Sequence, residues 1–118
     1  MAADFIDWPG SAGPKYRYWF VQDTSPAGIK DQPGNYMFVR LTNPEKGWWR
    51  PVYIGIADSL RQRLTNHEVW EEAKRCGATR IMGHTQTDSV ARANEERDLI
   101  GYWNPQCNVQ HRTNRQTG

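Results

Sequence analysis

The chain has 118 residues, 37% of them hydrophobic and 24% charged, which allows one domain with a single core. No stretch approaches the ~20 apolar residues of a membrane span, and the first residues lack a basic-then-apolar secretory pattern. Fifteen Lys and Arg against thirteen Asp and Glu leave a net charge of +2, which permits a polyanionic partner without requiring one. A soluble protein with no membrane partner is therefore expected. Cys76 and Cys107 are too few for a disulfide framework, and a reducing cytoplasm is the default setting. Eleven of the fifteen cations are Arg, the side chain suited to bidentate phosphate contacts. Six Trp and five Tyr suit core packing first and base stacking second.

Residues 1–15, with Pro9, Gly10, Gly13 and Pro14, read as an irregular arm. The aromatic run Tyr16–Val21 predicts a short strand, and Pro26, Gly28, Pro33 and Gly34 separate it from the next element. From Asn35 to Leu41 the side chains alternate, Tyr36, Phe38 and Arg40 on one side and Met37, Val39 and Leu41 on the other, which predicts a strand. Asn43-Pro44-Glu45-Lys46-Gly47 is turn chemistry, and Trp48–Ile56 is the returning strand of a hairpin.

Asp58 or Ser59 is placed to cap one helix carrying Leu60, Leu64, Val69, Trp70 and Ala73, which Gly77 ends. Thr79–Met82 reads as a strand. Thr87 or Asp88 caps a last helix, with Val90, Ala93, Leu99 and Ile100 spaced for one buried face, and Asn104-Pro105 stops it. The tail 111–118 is polar. The expected class is α+β, a small antiparallel sheet flanked by helices, with the domain over 16–110.

Three features carry chemistry. Gly34-Asn35-Tyr36 opens one hairpin strand, and Tyr53-Ile54-Gly55 closes the other. Arg63 lies on the helix that leaves that strand. Glu96-x-x-Leu99-Ile100 on the last helix is followed by Pro105-x-x-Asn108. In this order, and on these elements, the set resembles the GIY-YIG nuclease superfamily over about Pro33 to Asn108. The pattern departs at Asn35, where members usually carry a β-branched apolar residue, and at Ile56, where some carry a lysine. Sixteen residues separate Tyr36 from Tyr53, and the excess over the family's spacing falls at Pro44–Trp49.

The resemblance implies a metal-dependent endonuclease acting on DNA, with a GIY-YIG-like fold. It assigns catalytic roles to Tyr36, Tyr53, Arg63, Glu96 and Asn108, with Glu96 holding one Mg²⁺ or Mn²⁺. Gly55, Arg61 and His67, one turn beyond Arg63, are candidate substrate contacts. The side chains suit this chemistry, with a guanidinium for phosphate charge, one carboxylate for a hard, well-hydrated cation, and phenols for proton transfer near a cation. Ordinary roles remain open for each, as strand aromatics, a solvated Arg, a neighbour of Glu95, or a turn-forming Asn. An inactive nucleic-acid-binding module of the same fold is the alternative, as is a nuclease subunit that relies on a separate DNA-recognition protein or a second copy of itself. Cys76, His84, Cys107 and His111 lack the close spacing of a zinc set.

Overall fold

The computed structural model describes residues 4–108. Five strands form one sheet: β1 (Phe5–Pro9), β2 (Lys15–Phe20), β3 (Gly34–Asn43), β4 (Trp48–Ala57) and β5 (Arg80–Thr85). The order across it is β1-β2-β5-β3-β4, and every neighbouring pair is antiparallel. Helices α1 (Leu60–Leu64), α2 (His67–Arg75) and α3 (Ser89–Trp103) complete the α+β fold, with a 3-10 turn at Pro26–Gly28. The central strand β3 is buried on both sides from Gly34 to Val39, so its alternation assigns residues to two cores. Tyr36 and Phe38 pack with Val52, Leu60, Leu64, Ala73 and Ile81 beneath α1 and α2. Met37 and Val39 pack with Trp8, Tyr18, Ile54, Met82 and Leu99 of α3.

The expected arm over 1–15 contains a strand. The breakers at Gly10, Gly13 and Pro14 are the turn of a β1–β2 hairpin, closed by the Gly10 N–H on the Pro14 carbonyl, with Gly13 at φ 106°. Trp8 is 2% exposed and meets Trp103 edge-on at 5.3 Å. Asp98 of α3 ties this hairpin down, accepting from the Tyr16 hydroxyl and the Ala12 N–H.

The single helix expected from 59 to 76 is two helices. Thr65 ends α1 with its hydroxyl on the Arg61 carbonyl, and the Asn66 side chain accepts from Glu68 N–H to start α2. A short polar side chain that competes for backbone groups is what interrupts such a run. Ser59 and Asp88 cap α1 and α3 as expected, and Asn104 closes α3 in the left-handed conformation. The strand expected at Thr79–Met82 extends to Thr85, because β5 lies between β2 and β3 and has a ladder on each side.

The buried face of α3 is also different from the expectation. Val90 is 66% exposed, and Arg92, Glu95 and Leu99 are the buried residues. The sheet beneath supplies the reason, since it presents Asn35, His84 and Tyr18 to the helix. Asn35 is fully buried and donates from Nδ2 to the Arg92 carbonyl at 3.0 Å.

Gly34 enters β3 where no side chain fits. A Cβ there would lie 2.2 Å from the His84 carbonyl oxygen and 2.7 Å from a Leu60 methyl carbon. Gly34→Ala is expected to cost about 1–3 kcal/mol or more, because the clash is with a central backbone that cannot step aside. A lower urea midpoint at unchanged slope would show it.

Candidate active site

Register places the two motif tyrosines one above the other. Across the β3–β4 ladder Tyr36 faces Gly55 and Phe38 faces Tyr53. The Tyr36 ring therefore lies over Gly55, where an added Cβ would fall 2.6 Å from its hydroxyl oxygen. This is the physical content of the glycine in Tyr53-Ile54-Gly55: it makes room for a ring. The two phenol rings stack at 6.0 Å between centroids, 26° from parallel.

Arg63 is exposed on α1, and with Tyr36, Phe38, Tyr53, Val69, Glu72 and Cys107 it lines a cavity of about 70 Å³. Tyr36 is 1% exposed, whereas Tyr53 is only partly buried. Burial, and next the Tyr53 phenol, hold the Tyr36 proton far above the usual range of a phenol. The Arg63 cation opposes that rise, while a hydrogen bond shared with Tyr53 and the Glu96 charge add to it. Three of the five expected residues, Tyr36, Tyr53 and Arg63, thus meet at this cavity.

Asn108 has a different place. Its Oδ1 accepts from Ile54 N–H at 2.7 Å and its Nδ2 donates to the Ile54 carbonyl at 2.8 Å. Both amide atoms are committed to the outer edge of β4, between Tyr53 and Gly55. Arg61 is turned to the chain rather than the cavity: its Nε donates to the Ile29 carbonyl at 2.9 Å. His67 opens α2, and its side chain lies outside the described residues, as does His111.

Glu95 and Glu96, adjacent in sequence, go separate ways. The Glu95 carboxylate is buried, with the Tyr18 hydroxyl at 2.6 Å and His84 Nε2 on the same oxygen. Burial, then the Glu95 charge, pushes the Tyr18 phenol well above its usual value. Nothing in the hydrophobic pattern marks this triad; the signal available was two consecutive acids, only one of which can face away from the sheet. Among the described residues no three His, Cys, Asp or Glu converge as metal ligands. The carboxylate that lines the cavity beside the phenol oxygens is that of Glu72, a residue sequence reasoning missed, while Glu96 is not among the lining residues. One carboxylate with phenol oxygens fits a hard cation that keeps most of its water.

The cysteines are bonded to each other, contrary to the expectation drawn from their number. Cys76 caps the end of α2 and Cys107 precedes Asn108, so the Cys76–Cys107 disulfide fastens the segment that brackets Ile54. That bond and the His84–Glu95 contact occupy the thiols and the imidazole that a zinc set would need.

No protein-family model matches the chain, and no curated protein is significantly similar. A solved structure is similar: the GIY-YIG N-terminal endonuclease domain of UvrC from Thermotoga maritima, a Tyr-to-Phe point mutant bound to its catalytic divalent cation. The likeness has a TM-score of 0.51 at 24% identity and covers 67% of this chain and 85% of that one. The chain has the GIY-YIG fold.

This geometry has two measurable consequences. The phenols of Tyr16 (pushed up to about 12 by burial and Asp98), Tyr18 and Tyr36 all keep their protons longer in the fold than in the unfolded chain. Their stabilisation is complete below pH ~10 and is lost as pH rises beyond it. Absorbance titration should find three of the five tyrosines ionising late, with unfolding at the end. Asn108→Ala should cost about 1–3 kcal/mol for each Ile54 backbone group left unpaired, read from denaturant midpoints.

Proposed function

We propose that this chain is a metal-dependent endonuclease that hydrolyses phosphodiester bonds in DNA. The observation that carries this reading is the meeting of Tyr36, Tyr53 and Arg63 at one cavity, with the Glu72 carboxylate on its wall. It stands on a fold shared with a domain described as an endonuclease bound to its catalytic divalent cation.

Each residue has a role that its surroundings permit. The exposed Arg63 presents a planar fork to the non-bridging oxygens of a phosphate seated over the cavity, and stabilises the charge that develops there. Tyr53 is the more accessible phenol and meets the attacking water. Tyr36 keeps its own proton and, through the shared hydrogen bond, orients Tyr53. Glu96 would hold one Mg²⁺ or Mn²⁺, which when bound supplies positive charge and an acidified water. Asn108 acts through the backbone, fixing Tyr53 and Gly55 from the edge of β4. In the proposed cytoplasmic setting thiol reductants would open the Cys76–Cys107 bond and leave the Asn108 amide to hold that segment on Ile54.

Nicking of supercoiled plasmid with Mg²⁺ or Mn²⁺ tests the reading. Glu96→Gln should abolish nicking while leaving the circular dichroism spectrum and DNA binding intact, since the amide keeps shape but loses the charge a hard cation needs. Arg63→Ala should slow cleavage at saturating DNA by about 10²–10³, and Arg63→Lys should restore only part of it. Wild-type cleavage by Glu96→Gln would remove that carboxylate from the site.

A further inference from the structure

Beyond the cavity, the β3–β4 hairpin runs on past the end of β5. β5 pairs with β3 only from Gly34 to Val39, so from Arg40 to Arg50 the two strands form a ribbon with no third strand. Arg40 lies directly opposite Arg50 in this ladder, followed by Leu41 opposite Trp49 and Asn43 opposite Trp48. Like charges facing each other across a ladder lower its stability. Yet the ribbon is well defined. Lys46 N–H donates to the Asn43 side chain at 3.1 Å, and Gly47 takes the left-handed turn at φ 67°. Trp49 packs on Phe20 at 5.2 Å, and Arg50 donates to the Trp103 carbonyl at 3.1 Å.

The outward surface of the ribbon is cationic and aromatic. Arg40, Lys46 and Arg50 against Glu45 give 3 − 1 = +2 over eleven residues, equal to the net charge of the whole chain. Trp48 at its tip is 57% exposed, with Lys46 Nζ 4.9 Å from the ring centre.

We infer that this ribbon is a DNA-docking element that enters the major groove of duplex DNA and sets the distance from docking point to cleavage point. The inference rests on the endonuclease reading for the cleavage point alone. A two-stranded ribbon fits the width of the B-form major groove, whose walls are phosphate. Phosphates beside Arg40 and Arg50 would relieve their mutual repulsion, and the Trp48 face offers contact to a base or its methyl group. Tyr53 lies five positions beyond Trp48, which at ~3.3 Å per residue spans about 17 Å, or about five base pairs.

The test measures duplex binding by fluorescence anisotropy in EDTA across a salt series, and cleavage separately with Mg²⁺. R40E/K46E is expected to weaken binding by about tenfold or more and to reduce the salt slope by about 2. Trp48→Ala is expected to weaken binding several-fold with the slope unchanged. Both variants should cleave at the wild-type rate at saturating DNA, because neither touches the cavity. Unchanged affinity and slope in both would overturn the docking role. So would tighter binding to an RNA duplex, whose narrow major groove excludes a ribbon. A wild-type chain that binds through the ribbon but cuts no DNA would remove the endonuclease reading and leave the docking surface in place.

Discussion

The Asn108 amide takes the place of a further strand at the outer edge of β4. It meets both backbone groups of Ile54, and in doing so joins three parts of the molecule that the sequence keeps far apart. It fixes that edge at the residue between Tyr53 and Gly55, and so governs where the Tyr36 ring rests. It draws the segment after α3 back toward β4, through the left-handed turn at Asn104. Through its neighbour Cys107 it is fastened to the end of α2. The cavity lies among these three elements, so its shape depends on this bracket more than on any contact inside it.

The contact between α3 and the sheet joins an apolar patch at Leu99, Ile100 and Trp103 to a polar cluster around Glu95 and Arg92. Removing a carboxylate from water is costly unless donors surround it, and Tyr18 and His84 meet that need for Glu95. Asn35 adds a bond to the helix backbone, and the Arg92 guanidinium donates to the Gln86 carbonyl at 2.8 Å. Hydrogen bonds are directional where apolar contact is not, so this interface sets the rotation of α3 about its axis. A helix seated on leucines could turn by a few tens of degrees at small cost. Seated on these groups it cannot, and Glu95 rather than Glu96 is held facing the sheet.

What the sequence made legible was what short-range chemistry decides. The alternation around Tyr36 and Phe38, the turn at Asn43–Gly47, and the caps at Ser59 and Asp88 each depend on a few neighbouring residues. The hidden parts depend on partners distant in the chain. Pro9 to Pro14 read as irregular until β2 is there to pair with Phe5–Pro9. Thr65-Asn66 looks like helix because its flanking apolar residues keep helical spacing across the break. Val90 matches the apolar period of α3, but the groups that meet the Arg92–Glu95 part of the helix, Asn35, Tyr18 and His84, are polar. Cys76 and Cys107 carry no signal of pairing, since they are 31 positions apart in the sequence with β5 and α3 between them.

The two outer strands of the sheet bear on how the molecule behaves in a crowded solution. An open strand edge is a template on which another chain can add itself. Here β1 ends at Pro9 and carries the Asp7–Arg17 ion pair. On the other side, β4 has Pro51, which lacks an N–H, and Ile54, whose outward groups are already taken by Asn108. The same amide that shapes the cavity therefore blunts the more apolar edge against self-association. Loss of that bracket would open an aggregation-prone strand beside the cavity.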